Sequence, residues 1–257
     1  MKVCVLSSGS SGNSVYIETE HQKILLDAGL SEKKLSARLA SIDRKAGDLD
    51  AVFVTHEHSD HVKGVGPLVR KHNVPLYATE GTYRKIQNRV GRIPVWNPIR
   101  SEEPVAIGEM VVEPYATPHD AEESVAFIIR HGDTKIGHAT DLGKVTPFVH
   151  KKLQKSTALL VEANHDVDML NAGPYSWPLK QRIKSDVGHL SNEACGELLA
   201  QANHDGLRWV VLMHLSETNN LPEIAALTAK QALGEMSPHL QMVLARQNQT
   251  TELISID

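Results

Sequence analysis

Three histidines and an aspartate fall within the six positions His56 to His61 of the segment "VFVTHEHSDHVKG". His56 and His58 are two residues apart, so in an extended chain their side chains point to the same side. Asp60 and His61 follow where a helix is predicted to begin, and that turn can bring them back toward the first pair. Imidazole nitrogens and carboxylate oxygens in this mixture bind Zn²⁺, Mn²⁺ or Fe²⁺ rather than Ca²⁺. The segment therefore predicts a metal-binding loop.

Three further candidate ligands lie at the ends of apolar strand-like segments. His119 ends "VEPYATPHD", Asp141 ends "TKIGHATD", and His214 lies in "VVLMHLS". Taken singly, each would more often be a buried polar residue with satisfied hydrogen bonds. Taken together with the first segment, the three complete two coordination spheres.

The pattern of strands and helices predicts how these residues are positioned. Strand-like segments come first in each half of the chain and then alternate with helical ones. "DAVFVT", just before the first histidine, is apolar and β-branched, as expected for a strand covered on both faces. The whole pattern predicts two mixed sheets packed face to face with helices outside, in one domain. Predicted helices include "SEKKLSARLASI" with Ser31 as N-cap, "VGPLVRKHN", "TPFVHKKLQKS", "SNEACGELLAQAN" and "LPEIAALTAKQAL".

Composition limits the other classes of protein. No apolar run is long enough to cross a bilayer, and the N-terminus has no signal-peptide layout, so we expect a cytoplasmic protein without membrane contact. Cys4 and Cys195 are the only cysteines, too few and too far apart for a thiolate metal site. The formal charge of −4 argues against a wholly basic nucleic-acid-binding surface, although bound divalent cations would add local positive charge.

Over essentially its whole length the chain resembles the metallo-β-lactamase superfamily. The resemblance rests on the candidate ligands above and on "LLDAG", whose Asp27 is expected to support the metal loop. It implies an αββα four-layer sandwich and two divalent metal ions per chain, Zn²⁺ or Mn²⁺. In the implied arrangement the first ion is held by His56, His58 and His119, the second by Asp60, His61 and His214, and Asp141 bridges both.

Such a pair of ions can share a water, hold it as hydroxide for use as the nucleophile, and polarise a phosphoryl or carbonyl oxygen. Asp60 is then expected to take part in catalysis as well as in metal binding. This chemistry indicates a hydrolase but hardly restricts the substrate.

Five segments resemble the YycJ/WalJ group within the superfamily, small relatives of RNase J and RNase Z: "SGSSGNS", "THEHSDH", "ANHD", "GHLSNEACG" and "HLSETNN". The resemblance implies 5′→3′ exonuclease action on DNA, with His189 as the general acid and Ser191 and Asn192 as candidate substrate contacts. The "SGSSGNS" loop either lines an anion site with its amides or is an ordinary hairpin turn.

The segment "NHDVDMLNAGPYSWPLKQRIK" carries Tyr175 and Trp177 beside Lys180, Arg182 and Lys184. Aromatic faces can stack on bases and cations can meet phosphates, which is typical of single-strand binding. A surface arm with solvated charges is the alternative.

Asp141 and His214 are 73 positions apart, which leaves no room for the large β-CASP insertion of RNase J-type nucleases. We therefore expect a single domain over residues 1–257 and a substrate among DNA ends, either single-stranded or 5′ ends, or small phosphodiesters. A small-molecule hydrolase of phosphodiesters, thioesters or lactones would use the same metal site, and a metal-binding DNA-repair partner with little catalysis is a third hypothesis. Oligomeric state and metal identity stay open.

Overall fold

The computed structural model describes residues 1–234 and 239–256, in which the strands form two seven-stranded sheets. The strands are β1 (Lys2–Ser7), β2 (Ser14–Glu18), β3 (Lys23–Leu26), β4 (Ala51–Phe53), β5 (Leu76–Ala78), β6 (Trp96–Pro98), β7 (Val105–Ile107), β8 (Met110–Ala116), β9 (Val125–His131), β10 (Thr134–Ala139), β11 (Ala158–Glu162), β12 (Trp209–Met213), β13 (Gln241–Leu244) and β14 (Ile254–Ser255). The α-helices are α1 (Glu32–Ala40), α2 (Ser59–Val62), α3 (Val65–His72), α4 (Glu80–Val90), α5 (Pro147–Leu153), α6 (Val167–Ala172), α7 (Trp177–Ile183), α8 (Asn192–Ala202) and α9 (Pro222–Leu233).

The two sheets have the same construction. The first has the order β14-β1-β2-β3-β4-β5-β6, and the second has the order β13-β12-β11-β10-β9-β8-β7. In each, early strands pair antiparallel, and the parallel pairing begins at β3–β4 in the first sheet and at β10–β11 in the second. The carboxyl ends of neighbouring parallel strands share one edge of a sheet, which is where ligand sites form in open α/β sheets.

Apolar side chains from both sheets form the central core. Phe53 of the first sheet meets Phe127 of the second edge to face, with 5.6 Å between ring centroids. The same layer contains Ile24, Leu160 and Val211, all fully buried. Burial of such side chains contributes roughly 1.5–3 kcal/mol each before the entropy of ordering is counted.

Two outer cores attach the helices. Leu35 of α1 and Leu68 of α3 pack on the outer face of the first sheet, and Leu198 of α8 and Ala229 of α9 pack on that of the second. Val52 of β4 belongs to an outer core while its neighbours on the strand belong to the central one. Both faces of that strand are therefore covered, as predicted, and the αββα sandwich is confirmed.

Local sequence signals determine several helix boundaries. The Ser31 hydroxyl accepts a hydrogen bond from the Lys34 amide at 3.4 Å, and the Ser191 hydroxyl accepts one from the Ala194 amide at 3.2 Å. These side chains satisfy amide groups that the first helical turn leaves unpaired. The predicted N-cap of α1 is confirmed, and Ser191 caps α8 in the same way. Helix α4 and the α6–α7 pair were not predicted.

No helix in the described ranges 1–234 and 239–256 is both long and apolar enough to cross a membrane.

Three residues near the candidate ligands have a strained backbone conformation where strands end. Asp27 follows β3, Asp141 follows β10 and His214 follows β12, and all three have positive φ angles of 55–59°. Side-chain-bearing residues rarely adopt this left-handed conformation, because it costs about 1 kcal/mol or more for a residue other than glycine. Such strain persists where surrounding contacts fix it, commonly at functional sites.

Candidate metal centre

The first group of metal-binding side chains contains His56, His58 and His119, whose ligand atoms lie within 4.8 Å of one another. His56 Nε2 is 3.0 Å from His58 Nδ1, and His119 Nε2 is 3.3 Å from the same atom. His56 and His58 come from the loop after β4, whereas His119 comes from the loop after β8. The two sheets therefore each supply part of this group.

The second group contains Asp60, His61 and His214. Asp60 Oδ2 is 3.4 Å from His61 Nε2 and 3.6 Å from His214 Nε2. Asp60 and His61 lie on α2, whose single turn directs both side chains back toward the strand ends.

Asp141 lies between the groups. Its Oδ2 is 3.3 Å from His61 Nε2, and its Oδ1 is 3.8 Å from His214 Nε2 and 3.9 Å from His119 Nε2. One carboxylate thus reaches both groups, which is the arrangement that a bridging ligand needs.

The unpaired atoms of this cluster fit divalent cations. Asp141 Oδ2 and His214 Nε2 are buried and have no hydrogen-bond partner in the described chain. Buried polar atoms almost always have a partner, so each such atom calls for an explanation. A cation bound to both groups would satisfy these atoms with the nitrogen and oxygen donors that Zn²⁺ and Mn²⁺ accept.

The protonation of the histidines leads to the same conclusion. Burial lowers the pKa of His56 well below its usual value, and neighbouring histidines lower it further, which keeps it in the neutral, metal-binding form. Burial also lowers the pKa of His61 and His214, but Asp141 and other carboxylates outweigh it and hold both pKa values well above the usual range. The carboxylates thus favour positive charge at His61 and His214. A metal ion would supply this charge in place of the protons on the two rings.

Asp27 orients one ligand of the second group. Its Oδ2 accepts a hydrogen bond from His61 Nδ1 at 2.8 Å, and its Oδ1 accepts one from the Thr55 amide at 2.9 Å. Because Nδ1 is engaged, Nε2 of His61 faces the other ligands. Asp27 supports the metal loop in this way, as the resemblance implied, and such carboxylate–histidine pairs fix the ring orientation of metal ligands.

Glu162 is the site residue that sequence reasoning missed. This fully buried carboxylate accepts hydrogen bonds from His189 Nδ1 at 2.7 Å and from His214 Nδ1 at 3.0 Å, and also from the Leu142 amide at 3.0 Å. Glu162 therefore orients a candidate metal ligand and the candidate general acid at once. The available signal was its position at the carboxyl end of β11, between strands whose ends already carry Asp141 and His214.

The environment of His189 favours its protonated form. Burial opposes protonation, but the charge and hydrogen bond of Glu162 outweigh burial, and the pKa of His189 is raised above its usual value. Its ring stacks on that of His214 with 5.2 Å between centroids. His189 therefore lies beside the second group with Nδ1 engaged.

The "SGSSGNS" segment forms the hairpin between β1 and β2 and packs on the metal loop. The Asn13 amide donates to the Asp60 carbonyl at 2.7 Å, and Asn13 Nδ2 donates to Asp60 Oδ2 at 3.1 Å. Gly29 fits beneath this contact, since a Cβ there would lie 1.6 Å from the Asp60 carbonyl oxygen. The segment forms a hairpin turn, as one of the two interpretations predicted, and the hairpin also holds Asp60 in place.

The α7 segment forms one wall of a cavity of about 400 Å³ that opens onto both groups. Tyr175, Arg182 and Ile183 line it together with His58 and His189. Helix α7 and the turn before it thus bring Arg182 and Tyr175, two of the predicted substrate-binding residues, to the site. Trp177 lies outside this cavity lining and is 70% exposed.

Arg182 is already paired with a carboxylate. Its Nε donates to Asp120 Oδ2, and this contact holds α7 against the loop that carries His119. Lys180 and Lys184 both donate to Asn171, at 2.7 Å to its carbonyl and 2.9 Å to its side-chain oxygen. The predicted cations of this segment are therefore engaged within the protein.

The polar groups of Ser191 and Asn192 are engaged elsewhere. The Ser191 hydroxyl caps α8, and the Asn192 side chain, 1% exposed, exchanges two 2.9 Å hydrogen bonds with the Asn220 amide. Neither residue is part of the cavity lining. Both residues were predicted from the sequence as substrate contacts. This geometry does not support that prediction, because both side chains make hydrogen bonds within the protein at the start of α8.

Comparison with known proteins agrees with the fold and the site. The sequence matches the family described as "Beta-lactamase superfamily domain" over residues 22–215. It is 40% identical over 238 residues to exodeoxyribonuclease WalJ of Streptococcus pneumoniae, covering 91% of this chain and 88% of that protein. It is 39% identical over 233 residues to exodeoxyribonuclease YycJ of Bacillus anthracis, covering 90% and 88% of the two chains.

A solved structure confirms the fold. The metallo-beta-lactamase fold protein YhfI of Bacillus subtilis superimposes with a TM-score of 0.75 at 18% identity, covering 98% of this chain and 99% of that one. The chain therefore belongs to the beta-lactamase superfamily domain family, and it is a metal-dependent hydrolase.

Proposed function

We propose that this protein is a divalent-metal-dependent exodeoxyribonuclease that degrades DNA from the 5′ end. The observation that carries the proposal is the 40% identity, over 88% of its length, to a relative named exodeoxyribonuclease. The clustering of seven histidine and aspartate side chains, four of which line the cavity, supports it further.

Two cations are the proposed cofactors. His56, His58 and His119 would hold one, Asp60, His61 and His214 the other, and Asp141 would contact both. The ions would activate water and stabilise charge on the phosphoryl oxygens. Zn²⁺ and Mn²⁺ both suit this donor set.

His189 is the proposed general acid. Its Nδ1 is engaged by Glu162, so Nε2 is the nitrogen that remains to give a proton to the departing oxygen. The raised pKa keeps that proton available near neutral pH. The ring lines the cavity beside both metal groups, where a scissile phosphodiester would lie.

Tyr175 is the proposed contact for a terminal base. It lines the cavity together with His189, so a base stacked on its ring would lie near the bond to be cleaved. Arg182 would meet a phosphate only by exchanging or sharing its contact with Asp120.

The decisive experiment incubates metal-loaded protein with 5′-labelled DNA, 3′-labelled DNA, 5′-labelled RNA and an aryl phosphodiester. Progressive release of the DNA label supports the proposal. Hydrolysis of the aryl ester alone would instead indicate a small-molecule phosphodiesterase, and release of the 3′ label first would contradict the polarity.

His189→Ala separates the acid from the metal ligands. We expect metal content to be retained and turnover to fall by roughly 10²–10⁴-fold, the usual contribution of general acid–base catalysis. His21→Ala, a change of an exposed histidine in the β2–β3 turn, is the matched control. Equal turnover of the two variants would remove His189 from the mechanism.

A further inference from the structure

A second cavity, of about 550 Å³, adjoins the catalytic one on the side of the β1–β2 hairpin. We call it the hairpin groove and define it by Ser10, Ser11, Ser59, Lys63 and Arg89. It shares Ser10, Ser59 and Asp60 with the catalytic cavity, so the two form one continuous depression across the metal centre.

The hairpin groove contains many hydrogen-bond donors that the protein does not use. Around the hairpin, the amides of Gly9, Ser11 and Gly12 all have acceptors, whereas the Ser10 amide has none in residues 1–234 and 239–256. In the same part of the chain, the hydroxyls of Ser10, Ser11 and Ser59 make no hydrogen bond. An amide and three hydroxyls can therefore meet an anionic oxygen without breaking an existing contact.

Two cations flank these donors. Lys63 is exposed and forms no ion pair with any described residue, and Arg89 donates only to the Glu57 carbonyl, at 3.3 Å. The cations on the opposite side of the catalytic cavity differ, because Arg182 is neutralised by Asp120 and Lys180 is engaged with Asn171. Uncommitted positive charge thus lies on the hairpin side.

We propose that the hairpin groove binds a backbone phosphate of a nucleic acid strand beyond the phosphate being cleaved. This inference rests on the proposed function, because the hairpin groove is the path by which a strand longer than a dinucleotide leaves the catalytic cavity. Lys63 and Arg89 neutralise the phosphate, and the Ser10 amide and the serine hydroxyls donate to its oxygens. The contact is independent of base sequence, because only the backbone is recognised.

The test compares Lys63→Ala/Arg89→Ala with Lys151→Ala/Lys230→Ala. The control pair removes the same charge from exposed lysines on α5 and α9 that have no ion-pair partner in the described chain. Any long-range electrostatic effect is therefore matched. Initial rates on a dinucleotide and on a longer single strand are measured with metal-loaded protein over a range of salt concentrations.

For the groove pair, we expect the ratio of kcat/KM on the long strand to that on the dinucleotide to fall by roughly tenfold, mainly through KM. Loss of this one phosphate contact also reduces the slope of log kcat/KM against log salt by about 0.7. The control pair keeps the wild-type ratio and slope. The charge-preserving pair Lys63→Arg/Arg89→Lys keeps most of the length advantage.

An unchanged ratio and slope in the groove pair, with wild-type DNA degradation intact, overturns the groove and leaves the nuclease proposal standing. Wild-type protein that hydrolyses an aryl phosphodiester but neither binds nor cleaves DNA overturns the nuclease proposal itself. Equal losses in the groove and control pairs assign the effect to net charge and also overturn the groove.

Discussion

Glu162→Gln is the most informative single change at this site, because one carboxylate contacts two histidines of different proposed roles. It accepts from His189 Nδ1 at 2.7 Å and from His214 Nδ1 at 3.0 Å, and both its oxygens are buried. A glutamine has the same shape but only one accepting oxygen and no charge. Both rings contact Oε1 while Oε2 accepts from the Leu142 amide, so the neutral variant cannot satisfy the two rings and that amide together.

The magnitude follows from the contact to His189. A hydrogen bond to a charged group contributes about 1.5–3 kcal/mol, which corresponds to about 1–2 pKa units at 1.36 kcal/mol each. Glu162 raises the pKa of His189 against the opposing effect of burial. Replacing the charged carboxylate by a neutral amide therefore lowers the pKa of His189. An acid works only while protonated, so the alkaline limb of the kcat–pH profile should move about 1–2 units toward lower pH.

The loss of charge also weakens the contact with His214, which adds a second effect. Removal of a group that orients a metal ligand typically costs 10–100-fold in metal affinity or activity. The assay is kcat for DNA hydrolysis against pH, combined with metal content and a denaturation midpoint. Glu193→Gln, at an exposed position in the first turn of α8, is the charge-matched control. A variant with an unshifted alkaline limb and kcat within twofold of wild type would refute this role of Glu162.

Two further predictions concern the metal centre and its loop. Chelation should abolish hydrolysis and lower the free energy of unfolding by RT ln(1 + [M]/Kd), which is about 4 kcal/mol at metal concentrations a thousandfold above Kd. Calorimetry with and without chelator measures this loss directly. An unchanged unfolding temperature would argue against a bound cation. Gly29→Ala forces a Cβ to within 1.6 Å of the Asp60 carbonyl oxygen unless the backbone moves, so we expect at least about 2 kcal/mol of destabilisation in urea titrations and weaker metal binding. Gly47→Ala is the control, because Gly47, like Gly29, has no positive φ and its Cβ would meet its nearest neighbour, His72 Nδ1, at an ordinary contact distance of 3.6 Å; equal losses in both variants would show that no clash is involved.

The sequence by itself determined the metal loop and the layered fold. His56, His58, Asp60 and His61 are contiguous, so short-range geometry places them together once a strand is followed by a turn of helix. The apolar residues of the neighbouring segments recur with strand and helix periodicity, so both faces of each sheet have to be covered. Two sheets packed face to face with helices outside, the αββα sandwich, meet this requirement. His119, Asp141 and His214 could also be chosen as candidate metal ligands from the sequence. Each follows an apolar strand-like segment, at a position where no local structural role explains a polar side chain.

Only the tertiary structure decided which other polar residues join the site. Glu162 and Asn13 look ordinary in the sequence, and they reach the cluster because strand order places β11 between β10 and β12 and because the β1–β2 hairpin folds over α2. Asn192 was predicted as a substrate contact from the family resemblance and Lys180 from the basic composition of its segment, yet Asn220 and Asn171 engage them. Hydrogen-bond partners distant in sequence are chosen by packing and not by local propensity, so they become visible only when the sheets are assembled.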